Sequence, residues 1–220
     1  MPPYANLLDE TSFPPWEKLP WDTSCPELGI LPWLIVESYK GCLSDTHWCF
    51  LAEIQECNGI KFFRYRTVVK DDKDKVMFVS FYPDSYEGFD WKKLKKGHTL
   101  AIMYAMQHRF LDGTSGVRVE DMDDVHVFPI SLRDFKGLGT EMKKYLAETE
   151  GGRWKCHGCD ESKPSHQMSR CGKCKLDCQA KGWNERDHKQ HCKVIRDPNF
   201  MALMKLDFSE YEGPFSFQRT

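Results

Sequence analysis

Seven residues in the last third of the chain have spacings that suit metal binding. They read Cys156-x2-Cys159, eleven residues, Cys171-x2-Cys174, three residues, Cys178, and finally His188-x3-Cys192. A Cys-x2-Cys knuckle puts two thiolates on adjacent corners of one tetrahedral ion, at a Zn–S distance of about 2.3 Å. In a helical segment, His-x3-Cys sets its two donors one turn apart, so that both face one ion. The chain has ten cysteines, and six of them fall in this segment. Cys25, Cys42, Cys49 and Cys57 are scattered and show no paired spacing. The plainer alternative is a set of buried thiols. It fits poorly, because about forty residues with few large apolar side chains cannot sustain a core without a staple. Structural zinc supplies roughly 10–16 kcal/mol of apparent binding energy in modules of this kind. The expected cofactor is Zn2+.

Cys178-Gln179, Trp183, His188-Lys189 and Cys192 follow the ending of a MYND finger, and residues 156–192 resemble that family. The resemblance covers about a sixth of the chain. As a whole, the chain also resembles small fungal proteins that carry a β-rich region before such a finger. The resemblance implies two zinc ions in cross-braced order, held by seven cysteines and one histidine. Cys156 and Cys159 match the first ligand pair, Cys171 and Cys174 the second, and His188 and Cys192 the fourth. The third pair is incomplete, because Cys174 leads through Lys175-Leu176-Asp177 directly to Cys178. Cys174-x3-Cys178 also fits the spacing of that third pair, and one residue cannot fill both roles. The expectation is one complete site of Cys171, Cys174, His188 and Cys192. A second site of Cys156, Cys159 and Cys178 lacks a ligand, which His157, His166, His191 or a water could supply.

The same resemblance implies a protein-interaction module, some members of which take proline-rich peptides. The family's peptide-contacting Gln and Trp match Gln179 and Trp183. A tryptophan face suits proline rings, and a glutamine amide can hold an extended backbone. Trp183 would equally serve as the core of so small a module. The expected role is that of an adaptor, with transcriptional regulation as one setting, and no catalytic residue is assigned. Lysine methyltransferases, some of which carry such a finger within a SET domain, are the enzyme alternative. The chain has no Asn-His-x-Cys segment and no matching glycine motif for the methyl donor. Gly-x-Ser-x-Gly, His-Glu-x2-His and a phosphate-cradling loop are also absent.

Charge bears on a nucleic-acid partner. Residues 151–196 hold eleven Lys and Arg against five Asp and Glu, a net of +6. The whole chain carries −2, which leaves −8 for the remainder. A basic finger is thus set against an acidic body that repels phosphate, and the balance argues against nucleic acid. The start, MPPYANLLDE, lacks a basic stretch followed by an apolar run, and no apolar stretch is long enough for a bilayer. These features predict an intracellular protein, nuclear or cytoplasmic, with no membrane partner and with cysteines that are reduced or metal-bound.

The elements before the finger read as an α+β chain: a β-rich domain, OB-like or another small barrel, followed by a small irregular zinc module. Residues 1–33 form a proline- and tryptophan-rich arm, expected to lie over the next domain. Residues 34–150 form the β-rich domain and end in a helix. Trp48, Phe50, Ala52 and Ile54 alternate as in a half-buried strand. Ile60–Lys70 and Val76–Tyr82 read as a hairpin about a solvated turn. Asp90–Lys96 reads as a short helix closed by Gly97. Thr99–Phe110 is read as a strand in preference to a helix, because Asp112-Gly113 and Gly116 follow as a turn. Val125–Ile130 is strand-like, and residues 131–148 are helical. His98, His108 and His126 fall in presumed strands as structural histidines, and Asp121, Asp123 and Asp124 in a solvated turn. The finger spans 151–196, and 197–220 is a packed tail with a short helix.

Overall fold

Alternation of apolar and polar residues governs the computed structural model, which describes residues 4–22, 46–61, 64–145, 153–155, 161–164 and 188–219. Strand β1 (Cys49–Lys61) buries Phe50, Ala52 and Ile54 completely. Strand β2 (Arg64–Lys70) turns Thr67 and Val69 inward, and β3 (Val76–Phe81) turns Met77, Val79 and Phe81 inward. The three form an antiparallel meander, with Val69 opposite Ile54 and Met77 opposite Val69. The turn between β2 and β3 is not wholly solvated. Asp71 is only 2% exposed. Its carboxylate accepts from the Lys73 and Lys75 backbone at 2.9 and 2.8 Å, and from the Trp16 N–H at 2.9 Å. A charge in a run of charges is thus the anchor of the N-terminal arm.

The segment Thr99–Arg109 divides into β4 (Thr99–Met103) and β5 (Gln107–Arg109). The break falls at Tyr104, whose φ of 54° is left-handed. Such a conformation costs a bulky residue on the order of 1–3 kcal/mol and needs compensation. The Tyr104 N–H donates to Trp48 O at 3.0 Å, and its hydroxyl lies 2.6 Å from His47 Nδ1. Strand β6 (Ser115–Val119) pairs antiparallel with β5 and parallel with β3, while β7 (Val125–Phe128) pairs with β4. The sheet order is β5-β6-β3-β2-β1-β4-β7. One run of chain therefore pairs with β1 at its start and with β6 at its end. Gly116, expected in a turn, lies inside β6. A Cβ there would sit 2.3 Å from Phe78 O. The expected helix at 90–96 is a single 3₁₀ turn, Trp91–Lys93, capped by Asp90 and followed by Gly97 at a φ of 79°.

The chain divides into two compact units. The first is Leu8–Arg133 with Asp207–Thr220 and holds the seven-stranded sheet. Both arms pack on it. Phe13, Pro14, Pro15, Trp16 and Leu19 are buried, and the Gln107 N–H and side chain donate to Pro20 O and Leu19 O at 2.7 and 2.8 Å. At the other end, His47 N–H donates to Phe208 O, Phe215 N–H to the Tyr104 hydroxyl, and Phe217 N–H to Asp123 O. The second unit is Met1–Leu7 with Asp134–Leu206. Helix α1 (Leu132–Tyr145) crosses the boundary, and Glu53 accepts its first N–H, from Leu132, at 3.1 Å. From Asp134 onward it lies in the second unit, where Phe135, Leu138 and Met142 are buried. This unit also holds a short hairpin, β8 (Arg153–Lys155) and β9 (Ser162–Pro164), and helices α2 (His188–Ile195) and α3 (Pro198–Lys205). Phe200 meets Phe135 edge-on, with centroids 5.3 Å apart. The Ala5 N–H donates to Met204 O at 2.8 Å, and Leu7 rests against Gly139 of α1. The described residues thus form an α+β protein with a β-rich unit.

Two glycines predict opposite responses. Gly116→Ala forces a methyl into a backbone carbonyl and is expected to destabilise the protein by about 3 kcal/mol. A Cβ added at Gly137 of α1 would meet nothing within 4 Å, so Gly137→Ala should stabilise by roughly 0.5–1 kcal/mol. Urea titration of both variants measures the difference. His47 predicts a pH dependence. The Tyr104 hydroxyl accepts from Phe215 N–H and lies 2.6 Å from His47 Nδ1. Burial holds the His47 pKa below its ordinary 6.5, against the opposing pull of Asp207. The unfolded chain therefore takes up this proton at a higher pH than the folded one. The contribution is complete above about pH 6.5 and is lost as pH falls below it. Tm should drop between about pH 7.5 and about pH 5.5, and less so in His47→Asn, which keeps an acceptor near the Nδ1 position but does not titrate.

Candidate metal centre

Of the seven expected metal ligands, His188 and Cys192 fall within the described backbone. Both lie on α2, the i and i+4 positions of one helix. Residues so placed share a face one turn apart, as the His-x3-Cys spacing requires for a shared ion. Cys192 is 6% exposed and forms no disulfide. The helix is fixed in its unit by Val194 and Ile195, both buried; after Arg196 comes Asp197, whose carboxylate accepts from Asn199 N–H at 2.9 Å and caps α3. Pro198 at the first turn of α3 helps end the preceding helix.

The expected first knuckle falls in sequence between two paired strands: Lys155 of β8 lies opposite Ser162 of β9, and Cys156 and Cys159 come between them in the sequence. An Arg153 guanidinium N–H donates across the same hairpin to Ser162 O at 2.6 Å. Cys156, Cys159, Cys171, Cys174 and Cys178 lie outside the described residues, as do Gln179, Trp183, His157 and His166. Among the described residues, no three His, Cys, Asp or Glu side chains are grouped to hold a metal ion. His191, one of the candidates to complete the second site, faces α1: its Nδ1 is buried, 3.6 Å from Glu141 Oε2.

The other described cysteines and histidines have structural environments. Cys49 is wholly buried in β1, and desolvation pushes its thiol pKa up. Cys57 donates from Sγ to Leu94 O at 2.9 Å, and burial raises its pKa too. His98 Nδ1 meets Lys93 O at 3.0 Å, His108 is paired with Asp22, and His126 packs against Phe128 and Phe217. The acidic turn is not uniformly solvated, since Asp124 is buried and Asp123 is paired with Arg219. Nothing local in the sequence points to His47, because its buried partner Tyr104 lies fifty-seven positions away.

No helix among the described residues is long and apolar enough to cross a membrane. No family model and no curated protein matches the chain. Among solved structures, it is similar to Schizosaccharomyces pombe Pot1pC bound to ssDNA (CGGTTACGGT), at 6% identity and a TM-score of 0.29, over 40% of this chain and 81% of that one.

Proposed function

We propose that the chain is a zinc-dependent protein-interaction adaptor whose finger, residues 156–192, is of the MYND type. The observation that carries the reading is the helical placement of His188 and Cys192 on consecutive turns of α2, with Cys192 buried. The paired cysteines of the spacing supply the other donors, and their thiolate–imidazole chemistry fits Zn2+. Cys171, Cys174, His188 and Cys192 would hold one ion, and Cys156, Cys159 and Cys178 part of a second. When bound, the metal cross-links segments that have too little apolar surface to fold by themselves. Gln179 and Trp183 would receive an extended, proline-rich partner segment, the amide holding its backbone and the indole its rings. The role assigned is binding, with no reaction.

The β-rich unit fits a closed barrel of the OB type in the same reading. Its meander β1-β2-β3, the parallel pair β3-β6, the antiparallel pair β6-β5 and the return through β4 to β1 make a cycle. Such a barrel is a scaffold in this reading and implies no activity of its own.

Native mass spectrometry of the intact chain counts the zinc. One or two bound ions are expected, and none would overturn the proposal. Cys192→Ala should remove one ion, whereas Cys49→Ala, at another buried thiol, should leave the count unchanged and affect stability alone. Capture of proline-rich peptides separates the groove from the fold. Trp183→Ala and Gln179→Ala are each expected to weaken capture about tenfold or more while the zinc content is retained. Unchanged capture by zinc-loaded variants would eliminate that groove.

A further inference from the structure

The outer face of β2, β3 and β6 carries a feature that the finger does not use. Inward-facing residues alternate along these strands with Arg64 and Arg66 on β2, Phe78 on β3 and Arg118 on β6. The register sets Arg66 opposite Ser80, and Ser80 opposite Arg118, so two arginines flank one serine across three strands. Tyr82, which follows β3, takes the Arg64 guanidinium at 3.9 Å from its centroid and that of Arg118 at 4.7 Å. Arg66 lies 3.9 Å from the Phe78 centroid and 5.2 Å from that of Phe110. The Tyr82 and Phe110 rings are parallel to within 11°, with centroids 6.5 Å apart. Gly116 lets the Phe110 ring come this close, since a Cβ there would meet it at 3.0 Å. The result is a ladder of three guanidiniums and three rings.

The edges of these cations are not equally engaged. Arg66 donates to Asp112 Oδ2 at 3.1 Å and to Thr114 Oγ1 at 2.7 Å, and Arg118 is paired with Glu120. Arg64 is exposed, and among the described residues no carboxylate is paired with it.

We propose that this face binds single-stranded nucleic acid. Arg66 is held between the Phe78 and Phe110 rings, whereas Arg64 is exposed and meets one ring, Tyr82, which leaves its other face to solvent. An unpaired base can stack on that face while the in-plane N–H groups reach phosphate. An acidic peptide would use only the N–H edges, and Asp112 and Glu120 already occupy edges of Arg66 and Arg118. A duplex keeps its bases stacked inside and cannot use the faces at all. The residues outside 151–196 carry −8, so the body repels a polyanion at a distance and contributes no steering. Stacking therefore dominates, and the salt dependence is shallow: log K against log salt should fall no faster than about −2, or three phosphates at about 0.7 each.

The test is fluorescence anisotropy of a fluorescein-labelled oligo(dT) of about 15 nucleotides with the full chain purified in zinc. Binding is expected, with a duplex of equal length about tenfold or more weaker. Arg64→Ala and Tyr82→Ala should each weaken binding about tenfold. Asp112→Asn, which releases an edge of Arg66, should strengthen it severalfold. Arg64 is exposed and its removal leaves the core intact, so that variant decides the question even if Tyr82→Ala does not fold. Absence of binding, equal binding of duplex, or equal displacement by polyglutamate overturns the proposal. So does unchanged affinity in Arg64→Ala, since the basic finger would then be the binder.

Discussion

The β-rich unit depends on a single bend. The run from Thr99 to Arg109 must leave β1 and reach β6, and it does so at Tyr104 with a left-handed backbone. No glycine relieves the strain. Instead the tyrosine hydroxyl is held between His47 Nδ1 and Phe215 N–H, while the ring stands edge-on to Trp48. Burial raises the phenol's pKa, so the group remains the neutral donor and acceptor that this arrangement needs. The bend, the start of the sheet and the C-terminal arm therefore stabilise one another.

Strands whose inward residues alternate cleanly are legible from the residues alone. Phe50, Ala52 and Ile54 are one example, and the hairpin of β2 and β3 is another. The bend is not legible, because a tyrosine carries no local sign that its backbone will be left-handed. Gly116 reads as a turn residue for a related reason. What requires a glycine there is the approach of Phe78 O and the Phe110 ring, contacts that only the folded sheet creates. Asp71 sits in a run of charges, and nothing nearby in sequence shows that Trp16 will bring it a backbone donor from fifty-five positions away.

For the candidate metal centre the position is reversed. The spacing His188-x3-Cys192 carries its own geometric requirement, a helix, and the chain is helical there. Local spacing is readable when both expected ligands sit on consecutive turns of one element. The arginine–aromatic ladder has no such signature, since its members come from three strands and two loops that only the β3–β6 pairing brings side by side. His191 shows the limit from the other side. Its type makes it a candidate ligand, whereas its neighbour on α1 is a carboxylate.

The contact of Ala5 with Met204 has a consequence for the order in which the protein is made. The two residues are joined by a backbone hydrogen bond, yet nearly the whole sequence separates them. At about 5–20 residues per second, a ribosome needs roughly 10–40 s to pass from one to the other. During that time the Ala5 N–H has no acceptor waiting for it, because α3 does not yet exist. The β-rich unit waits in the same way for Phe208, Phe215 and Phe217, which arrive later still. Neither unit can close before these last residues emerge, so the nascent chain exposes both of its unfinished seams until then, and holding chaperones have their longest opportunity there.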